Sequence, residues 1–485
     1  MQNFVKFNKS FINGKWVNGK STRTFQNNNP YDDSIITEIP LATVEQVKEA
    51  YEGAAEAQKK WAQSTAKERK EVIRKFIEYF NEQKEEIVQL ISEETGGTIL
   101  KGNIEFSLAL EVVEEALNYA DRLDEVKEVP GGPEGKVNKI YRKPIGVISS
   151  IAPFNFPVNL SLRTIIPGIA LGNAVVHKPD IQVGIVSGVV LAKAFEYAGL
   201  PDGVFNMILT DIEEIGDEML TNPIPRLIGF TGSTPVGKHI GSIAGKHLKR
   251  TILELGGNSP LVVLSDADID QAVDASIFGK FIHQGQICMI VNRFIIHEKL
   301  YDEFVEKFTN RAKALVCGDP QDPKTVIGPL INDQQVEKAK DYIELAKKEA
   351  KVYLEGSVEG RVVQPYVFTG VENDSDVAQT ELFAPIALMI KANSDDEALV
   401  MAEDTEYGLS SAIFTGDVQN TEHDAAALDA GMTHINDQTI NDAPNIPFGG
   451  TKSSGLGRFG NPWVVDNFTE MKWVSIQKKR RTYPI

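Results

Sequence analysis

The stretch GVISSIAPFNFPVNLSLRTIIPGIALGNAVVHKP, residues 146–179, decides the fold class. Gly146–Ile151 is a short apolar run of strand length, Ala152–Pro157 is a proline-locked loop, a helix is expected near Asn159–Leu171, and Ala174–Val176 is apolar again. Two such runs joined by a helix imply a parallel βαβ unit, because parallel neighbours need a crossover. From Ile145 to Val176 the only charge is Arg163, so a hydropathy window would flag a membrane span. Pro153, Pro157 and Pro167, with Asn155, Asn159 and Asn173, would break that helix and carry amides into lipid. The stretch therefore reads as buried strand, loop and helix.

Toward the C-terminus the alternation continues through a helix over Gly184–Tyr197, strands at Val204–Ile208 and Leu227–Phe230, a helix from Ser233 and a strand at Thr251–Leu253. A second series opens with a strand at Leu261–Leu264 and passes through helices at Ile269–His283 and Tyr301–Leu315, so two α/β domains are implied. Toward the N-terminus, Thr43 and Gln46 form a capping box before Val47, Tyr51, Ala54 and Trp61. A longer stripe of Val72, Ile73, Phe76, Ile77 and Phe80 runs on to a stop at Gly96-Gly97, and a third helix is expected over Ile104–Leu123. VPGGPEG, residues 129–135, is a connector, and Val137–Arg142 alternates like an exposed strand. The tail from Met471 holds KWVSIQ, a strand able to pair with another extended segment, and then the basic run Lys478, Lys479, Arg480 and Arg481.

The length of 485 residues favours two or three domains, and 42% apolar with 24% charged residues is ordinary globular usage. A formal charge of −18 repels phosphate backbones and anionic lipids, so neither nucleic acid nor membrane is an expected partner. The basic run near the C-terminus reads as a solvated strand end. With Cys288 and Cys317 as the only cysteines, a reducing, cytoplasmic setting is expected, and Met1–Trp16 lacks the continuous apolar core of a signal peptide. The seven histidines fall in no HExxH or Cys/His pattern, so no metal is expected.

Cys288 stands in HQGQICM at the expected end of a helix, where a lone cysteine is more often inert than reactive, so its weight depends on partners. Cys317 has none and is assigned to packing. Glu254, in LELGGN, ends an apolar strand on the edge where open α/β sheets bind ligands. A general base and a strand-end ion pair stand even there. Asn155, in the rigid loop, is either a preorganised amide donor for an oxyanion or a turn residue. GFTGSTPVG, residues 229–237, offers backbone N–H groups at a strand exit and helix start, suited to a pyrophosphate, though without GxGxxG spacing. Lys178 ends another strand, within reach of sugar hydroxyls.

Taken together, PFNFP (153–157), Lys178-Pro179, FTGS (230–233), LELGGN (253–258), GQIC (285–288), ELFAP (381–385) and PFGG (447–450) resemble the aldehyde dehydrogenase superfamily over nearly the whole chain. The resemblance implies an α/β fold with a Rossmann-type cofactor domain (1–122 and 144–255), an α/β catalytic domain (256–455) and a small β oligomerisation element (123–143 and 470–485). Homodimers or homotetramers follow from it. It further implies Cys288 as nucleophile, Glu254 as base, and Asn155 with the Cys288 N–H as oxyanion hole. NAD or NADP would be held by Phe154, Gly232, Ser233 and Gly237, with Lys178 and Glu381 on ribose hydroxyls and Phe383 against the nicotinamide. Two positions depart from the family pattern: Ala384 replaces a usual Gly, and Ile181 stands where a ribose-binding Glu is frequent. Both cofactors are therefore expected, with a lean toward NAD.

PFNFPVNLSLR (153–163) and DNFTEMKWVS (466–475) look like benzaldehyde and vanillin dehydrogenases, which implies an aromatic aldehyde. Phe154, Phe156 and Phe448 suit ring stacking and packing alike. Arg163 stands between lining the substrate entrance and being a solvated helix arginine. Competing readings are acyl transfer to coenzyme A, which Glu254 disfavours, a cofactor-free cysteine hydrolase, for which only His283 lies near Cys288, and a non-catalytic binding role, against which Cys288, Glu254 and Asn155 speak.

Overall fold

The structure is a computed structural model describing residues 2–485; Met1, the first residue of the polar opening, lies outside the described residues. Its first sheet has eight strands in the order Lys15–Val17, Ser10–Ile12, Phe205–Met207, Ala174–Lys178, Val147–Ile151, Pro225–Thr231, Arg250–Glu254 and Gly455–Leu456. The five from Phe205–Met207 to Arg250–Glu254 run parallel. From Val147–Ile151 the chain steps outward to 174–178 and 205–207, then returns to build 225–231 and 250–254 on the other side. That reversal is a topological switch point, and crevices at such points are where open α/β sheets bind ligands.

Alternate strand residues enter different cores, as a sheet covered on both faces requires. Ile148 and Val175 pack in the cluster that includes Leu162, Ile165 and Ile169, while Val147, Ala174 and Val176 pack with Val47, Ala50 and Tyr51. Helix Pro157–Ala170 is buried at every position and has proline at its first residue, where the missing N–H costs nothing.

The second sheet has seven strands in the order Lys351–Leu354, Tyr366–Thr369, Ile386–Ala392, Val291–His297, Ser259–Val263, Ser410–Phe414 and Met432–Ile435. Leu261, Val263, Phe294 and Ile296 face one core, and Val262, Ile295, Ile390 and Ile413 the other. A third, antiparallel sheet joins Val126–Val129 and Lys136–Pro144 to the C-terminal strand Thr469–Gln477, with Trp473 opposite Ile140. The extended tail thus finds its partner within its own chain.

Several element bounds differ from the sequence reading, each for a local reason. The helical stripe ending at Gly96 is two helices, Ala66–Glu82 and Lys84–Thr95, separated at Gln83, whose ψ of 9° interrupts the helical path. The next helix begins at Ile99 rather than Ile104, because Thr98 caps it through the Lys101 amide, and it ends at Tyr119 in a 3₁₀ turn. The helix expected from Gly184 opens as a wide turn, Ile185–Val189, with the amides of Ile185 and Val186 bound by the Glu94 carboxylate at 3.2 and 2.7 Å. Most consequentially, Cys288 is not on a helix end. Helix Ile269–Phe281 stops early, and His283, Gln284 and Gly285 take φ of 50°, 58° and 77°. Tertiary bonds impose this conformation: the Gln284 amide donates to the carbonyls of Gly96 and Pro329 at 2.7 and 2.9 Å. Cys317 lies beyond its helix in an isolated bridge to Ile327.

Candidate active site

Strand register aligns the expected segments. Lys178 pairs with Ile151, Ile151 with Phe230, and Thr231 with Glu254, so four parallel strands end in one row across the switch point. A cavity of about 470 Å³ opens there, lined by Phe154, Asn155, Gly232, Ser233, Cys288, Glu381 and Phe383, with Lys338, Tyr342 and Tyr407 completing its wall. Those last three carry no motif. Tyr342 and Lys338 sit on an amphipathic helix, Asp333–Glu349, whose pattern marks a buried face without revealing what it faces.

The glycine pair of LELGGN accommodates its neighbours. A Cβ on Gly256 would lie 2.4 Å from Glu381 Oε2, and one on Gly257 would lie 2.3 Å from the Cys288 carbonyl oxygen. The Gly257 N–H donates to Glu381 Oε1 at 3.1 Å, and the Asn258 amide donates to the Ala378 carbonyl at 2.8 Å. Asn258 Oδ1 in turn accepts from buried Arg293 at 2.6 Å. Three motifs distant in sequence therefore close on one another through bare backbone.

Asn155 Nδ2 donates to the carbonyl of Gln286, two residues before Cys288, at 3.0 Å. One amide hydrogen is thereby committed and the amide oriented, with the second N–H left over. Phe154 meets Phe383 edge-to-face at 6.1 Å.

Glu254 is buried, and neither carboxylate oxygen has a hydrogen-bond partner among the described residues. Burial raises its pKa to about 8; the Arg163 and Arg458 charges oppose the rise and Asp442 adds to it. Its space depends on PFGG, since a Cβ on Gly449 would lie 2.8 Å from Glu254 Oε1. Cys288 keeps partial exposure, and its thiol is pushed up to about 12 by burial and by the Glu381 and Glu254 charges. Burial also lifts Glu381 to about 7, against the Gly257 N–H and Lys338.

Three expected residues lie outside the cavity wall. Glu254 is not among the wall residues, though its charge reaches Cys288. Lys178 ends its strand with Nζ donating to the Pro179 carbonyl at 3.3 Å; burial lowers its pKa while Asp180 and Asp211 oppose the fall. Gly237 lies inside helix Thr234–Lys246, where a Cβ would meet Leu255 at 2.2 Å, so its lack of a side chain serves packing. Ile181 packs against the main core. Arg163 is no solvated arginine: it is buried, ion-paired with Asp442, and its guanidinium stacks 3.9 Å over the Phe448 ring. Asp442 and Arg458 were not legible in the sequence, because a turn-rich loop and a glycine-flanked arginine both read as solvent-facing.

Comparison with known proteins shows the family. Residues 16–474 match the model of the aldehyde dehydrogenase family. AldY of Bacillus subtilis (strain 168), provisionally named an aldehyde dehydrogenase, is 61% identical over 482 residues, covering 99% of each chain. Benzaldehyde dehydrogenase YfmT of the same organism is 43% identical over 485 residues, covering 100% of both chains. The crystal structure of an NAD-dependent benzaldehyde dehydrogenase from Corynebacterium glutamicum superimposes with a TM-score of 0.90 at 41% identity, covering 98% of this chain and 97% of that one. With its motifs gathered at one switch point and these similarities running the length of the sequence, the chain belongs to the aldehyde dehydrogenase family.

Proposed function

We propose that this enzyme oxidises an aromatic aldehyde to its carboxylic acid with NAD or NADP, through a thiohemiacetal and a thioester on Cys288. The observation that carries the reading is a buried carboxyl, Glu254, with both oxygens unpartnered among the described residues and its charge reaching the thiol of Cys288, which lines the cavity. A group desolvated and left unsatisfied in this way is suited to take a proton from something that enters.

The residues at the row of strand ends fit a nicotinamide nucleotide. The bare Gly256 leaves room for the Glu381 carboxylate, and Gly232 and Ser233 lead into the N-terminus of helix Thr234–Lys246, where backbone N–H groups favour phosphate. Phe154, Lys178, Gly232, Ser233, Glu381 and Phe383 would hold the cofactor, and Gly237 would support the helix. When bound, NAD or NADP would supply the two-electron oxidant, as hydride acceptor for the carbon attached to Cys288.

The chain's residues supply the rest. Cys288 gives its proton up to water, and its sulfur bonds to the aldehyde carbon as the carbonyl π pair moves onto oxygen. The carbonyl oxygen becomes an oxyanion, held by the free Asn155 N–H and the Cys288 backbone N–H. After oxidation the thioester remains; Glu254 takes a proton from the attacking water, the C–S bond breaks, and the carboxylate leaves. We assign cofactor binding to 1–122 and 144–255 and catalysis to 256–455. Contact between copies is assigned to the third sheet, where Met471 and Trp473 are exposed.

The aromatic assignment rests on relatives named benzaldehyde and vanillin dehydrogenases and on Phe448 beside the buried arginine. Its test is reduced-nicotinamide absorbance with benzaldehyde, hydroxylated benzaldehydes and short aliphatic aldehydes, with and without coenzyme A. Aromatic aldehydes should have the higher kcat/KM; faster aliphatic turnover, or dependence on coenzyme A, overturns the reading. For the cofactor, Ile181→Glu should depress NADP use by about one to three powers of ten, the cost of a carboxylate a few ångströms from a phosphate. An Ile181→Glu enzyme that uses NADP as well as its parent does would remove Ile181 from the choice.

A further inference from the structure

Helix Ile99–Tyr119 carries a buried ion pair away from the cavity wall. Lys101 Nζ lies 2.5 Å from Glu105 Oε2, one turn along the helix, with both side chains fully buried. Desolvating such a pair commonly costs more than its attraction returns, so stability is a weak reason for keeping it. Glu105 has a second task. Its Oε1 accepts the amide of Val158 at 2.7 Å and that of Asn159 at 3.3 Å. These belong to the first turn of helix Pro157–Ala170, whose own cap position is Phe156, a side chain with no acceptor. A carboxylate from a different helix therefore caps the helix that starts two residues after Asn155.

Lys101 reaches the same place from its end of the pair. Its ammonium lies 4.6 Å over the Phe156 ring, and that ring meets His283 edge-on at 5.8 Å. His283 opens the left-handed run that leads into Cys288. Its ring is buried, and burial together with the Lys101 charge keeps it from protonating, so it packs here as a neutral ring. The Asn155 and Cys288 loops are then stitched together by the bond from Asn155 Nδ2 to the Gln286 carbonyl. One buried pair thus touches, through the Val158 and Asn159 amides and through Phe156, the supports of both reacting groups.

We infer that Lys101 and Glu105 are positioning residues for the reaction: Glu105 fixes the helix turn behind Asn155, and Lys101 neutralises Glu105 while holding Phe156 against the turn that presents Cys288. The inference rests on the roles given above to Asn155 and Cys288.

Two double substitutions separate the acceptor from the charge. Lys101→Met with Glu105→Gln removes both charges and keeps an oxygen for the two amides; Lys101→Met with Glu105→Leu removes the oxygen as well, a replacement that buried pairs often tolerate in stability. Met keeps a long, polarizable chain against the Phe156 ring in both variants, so the Gln double should keep kcat within about threefold, while the Leu double, which loses the acceptor, should lose about tenfold to a hundredfold in kcat, the scale of a small misplacement of reacting groups. KM for the aldehyde and NAD affinity by direct titration should stay within about threefold. Adding Asn155→Ala to the Leu double should cost little beyond Asn155→Ala alone, because both disturb the same donor. A general structural role predicts losses that multiply. Full activity in the Leu double, equal losses in both doubles, or multiplying losses with Asn155→Ala would overturn the inference. If the Leu double does not fold, Glu105→Asp takes its place, with a carboxylate one methylene short of the amides. Its kcat loss should likewise be absorbed by Asn155→Ala, and no loss or a multiplying one overturns the inference. An Asn155→Ala enzyme with unchanged kcat overturns the reading of the site itself, and this inference with it.

Discussion

Glu105 and Glu254 are both buried, and the fold treats them in opposite ways. Around Glu105 a lysine and two backbone amides occupy the carboxylate, so the group is fully committed. Around Glu254 two arginines contribute only their field, and both oxygens are left open among the described residues. An unsatisfied buried polar group costs about 1–3 kcal/mol. One carboxyl is satisfied by groups from two helices, and on the proposed reading the other is open to a partner that arrives with the reaction.

The largest effect should come from the group that the vacant carboxyl serves. Cys288→Ala should reduce aldehyde oxidation by more than about a thousandfold while fold and NAD binding persist, since the nucleophile goes and little volume changes. Steady-state rates and circular dichroism check it, and turnover near that of the parent would end the assignment. Cys317→Ala, in a bridge remote from either carboxyl, is the matched control and should leave kcat unchanged.

Next comes Glu254→Gln, which keeps size and polarity but takes no proton. Steady-state turnover should fall by about a hundredfold to a thousandfold. Rapid mixing should still show a burst of reduced cofactor close to one per active site, because acylation survives better than hydrolysis. Equal loss of burst and steady state would place Glu254 before hydride transfer, or make it structural, and the contrast with Glu105 would lose its meaning.

Stability should divide the two carboxyls in the other direction. Glu105→Leu alone strands Lys101 in the interior and should cost about 3–5 kcal/mol. Glu254→Leu removes an unsatisfied group and should be neutral or stabilising by about 1–3 kcal/mol. The sign with pH follows from burial: a carboxyl raised to about 8 in the fold keeps its proton longer than in the unfolded chain, so the parent loses stability as pH rises from its ordinary value of 4.5 toward 8. The gain from Glu254→Leu should therefore be absent near pH 4.5 and largest at pH 8 and above. Thermal midpoints at one scan rate check this, and a Glu254→Leu protein that is less stable at the higher pH contradicts it.

How much of this could be seen in the sequence follows the same division. Positions set by the chain around them were legible: the strand ends carrying Lys178 and Glu254, the rigid loop of Asn155 and the glycines of LELGGN follow from local pattern, while the roles proposed for them came from the resemblance. Residues whose role depends on a distant partner were not. Nothing in helix Ile99–Tyr119 shows that Glu105 caps a helix 53 residues later, since a Lys and Glu one turn apart read as an exposed pair. The end of the helix before Cys288 was misplaced because Gln284 is held by Gly96 and Pro329, far away in sequence. Arg163 stood open between the substrate entrance and solvent because Asp442, its partner, lies in a loop whose composition suggests solvent.

Arg163 also supplies the smallest and most discriminating expectation. Glu254 should accept a proton only when ionised, so turnover limited by it should rise with pH and level off above about 8. Of the charges that favour ionisation, Arg163 contributes most, with Arg458 behind it and Asp442 opposing. Arg163→Met removes the leading cation and also strips Asp442 of its partner, so both changes push Glu254 the same way, toward retaining its proton. The kcat profile should move to higher pH by about one unit, giving about a tenfold loss on the acidic limb and almost none on the alkaline plateau. Measuring kcat and KM for one aromatic aldehyde on both sides of pH 8 in parent and variant separates this from substrate contact. A uniform rise in KM with an unmoved profile would mean that Arg163 touches the substrate through its stack on Phe448 and does not tune the base. A profile displaced to lower pH would contradict the field around Glu254, and with it the claim that the vacant carboxyl is held ready by charges that never touch it.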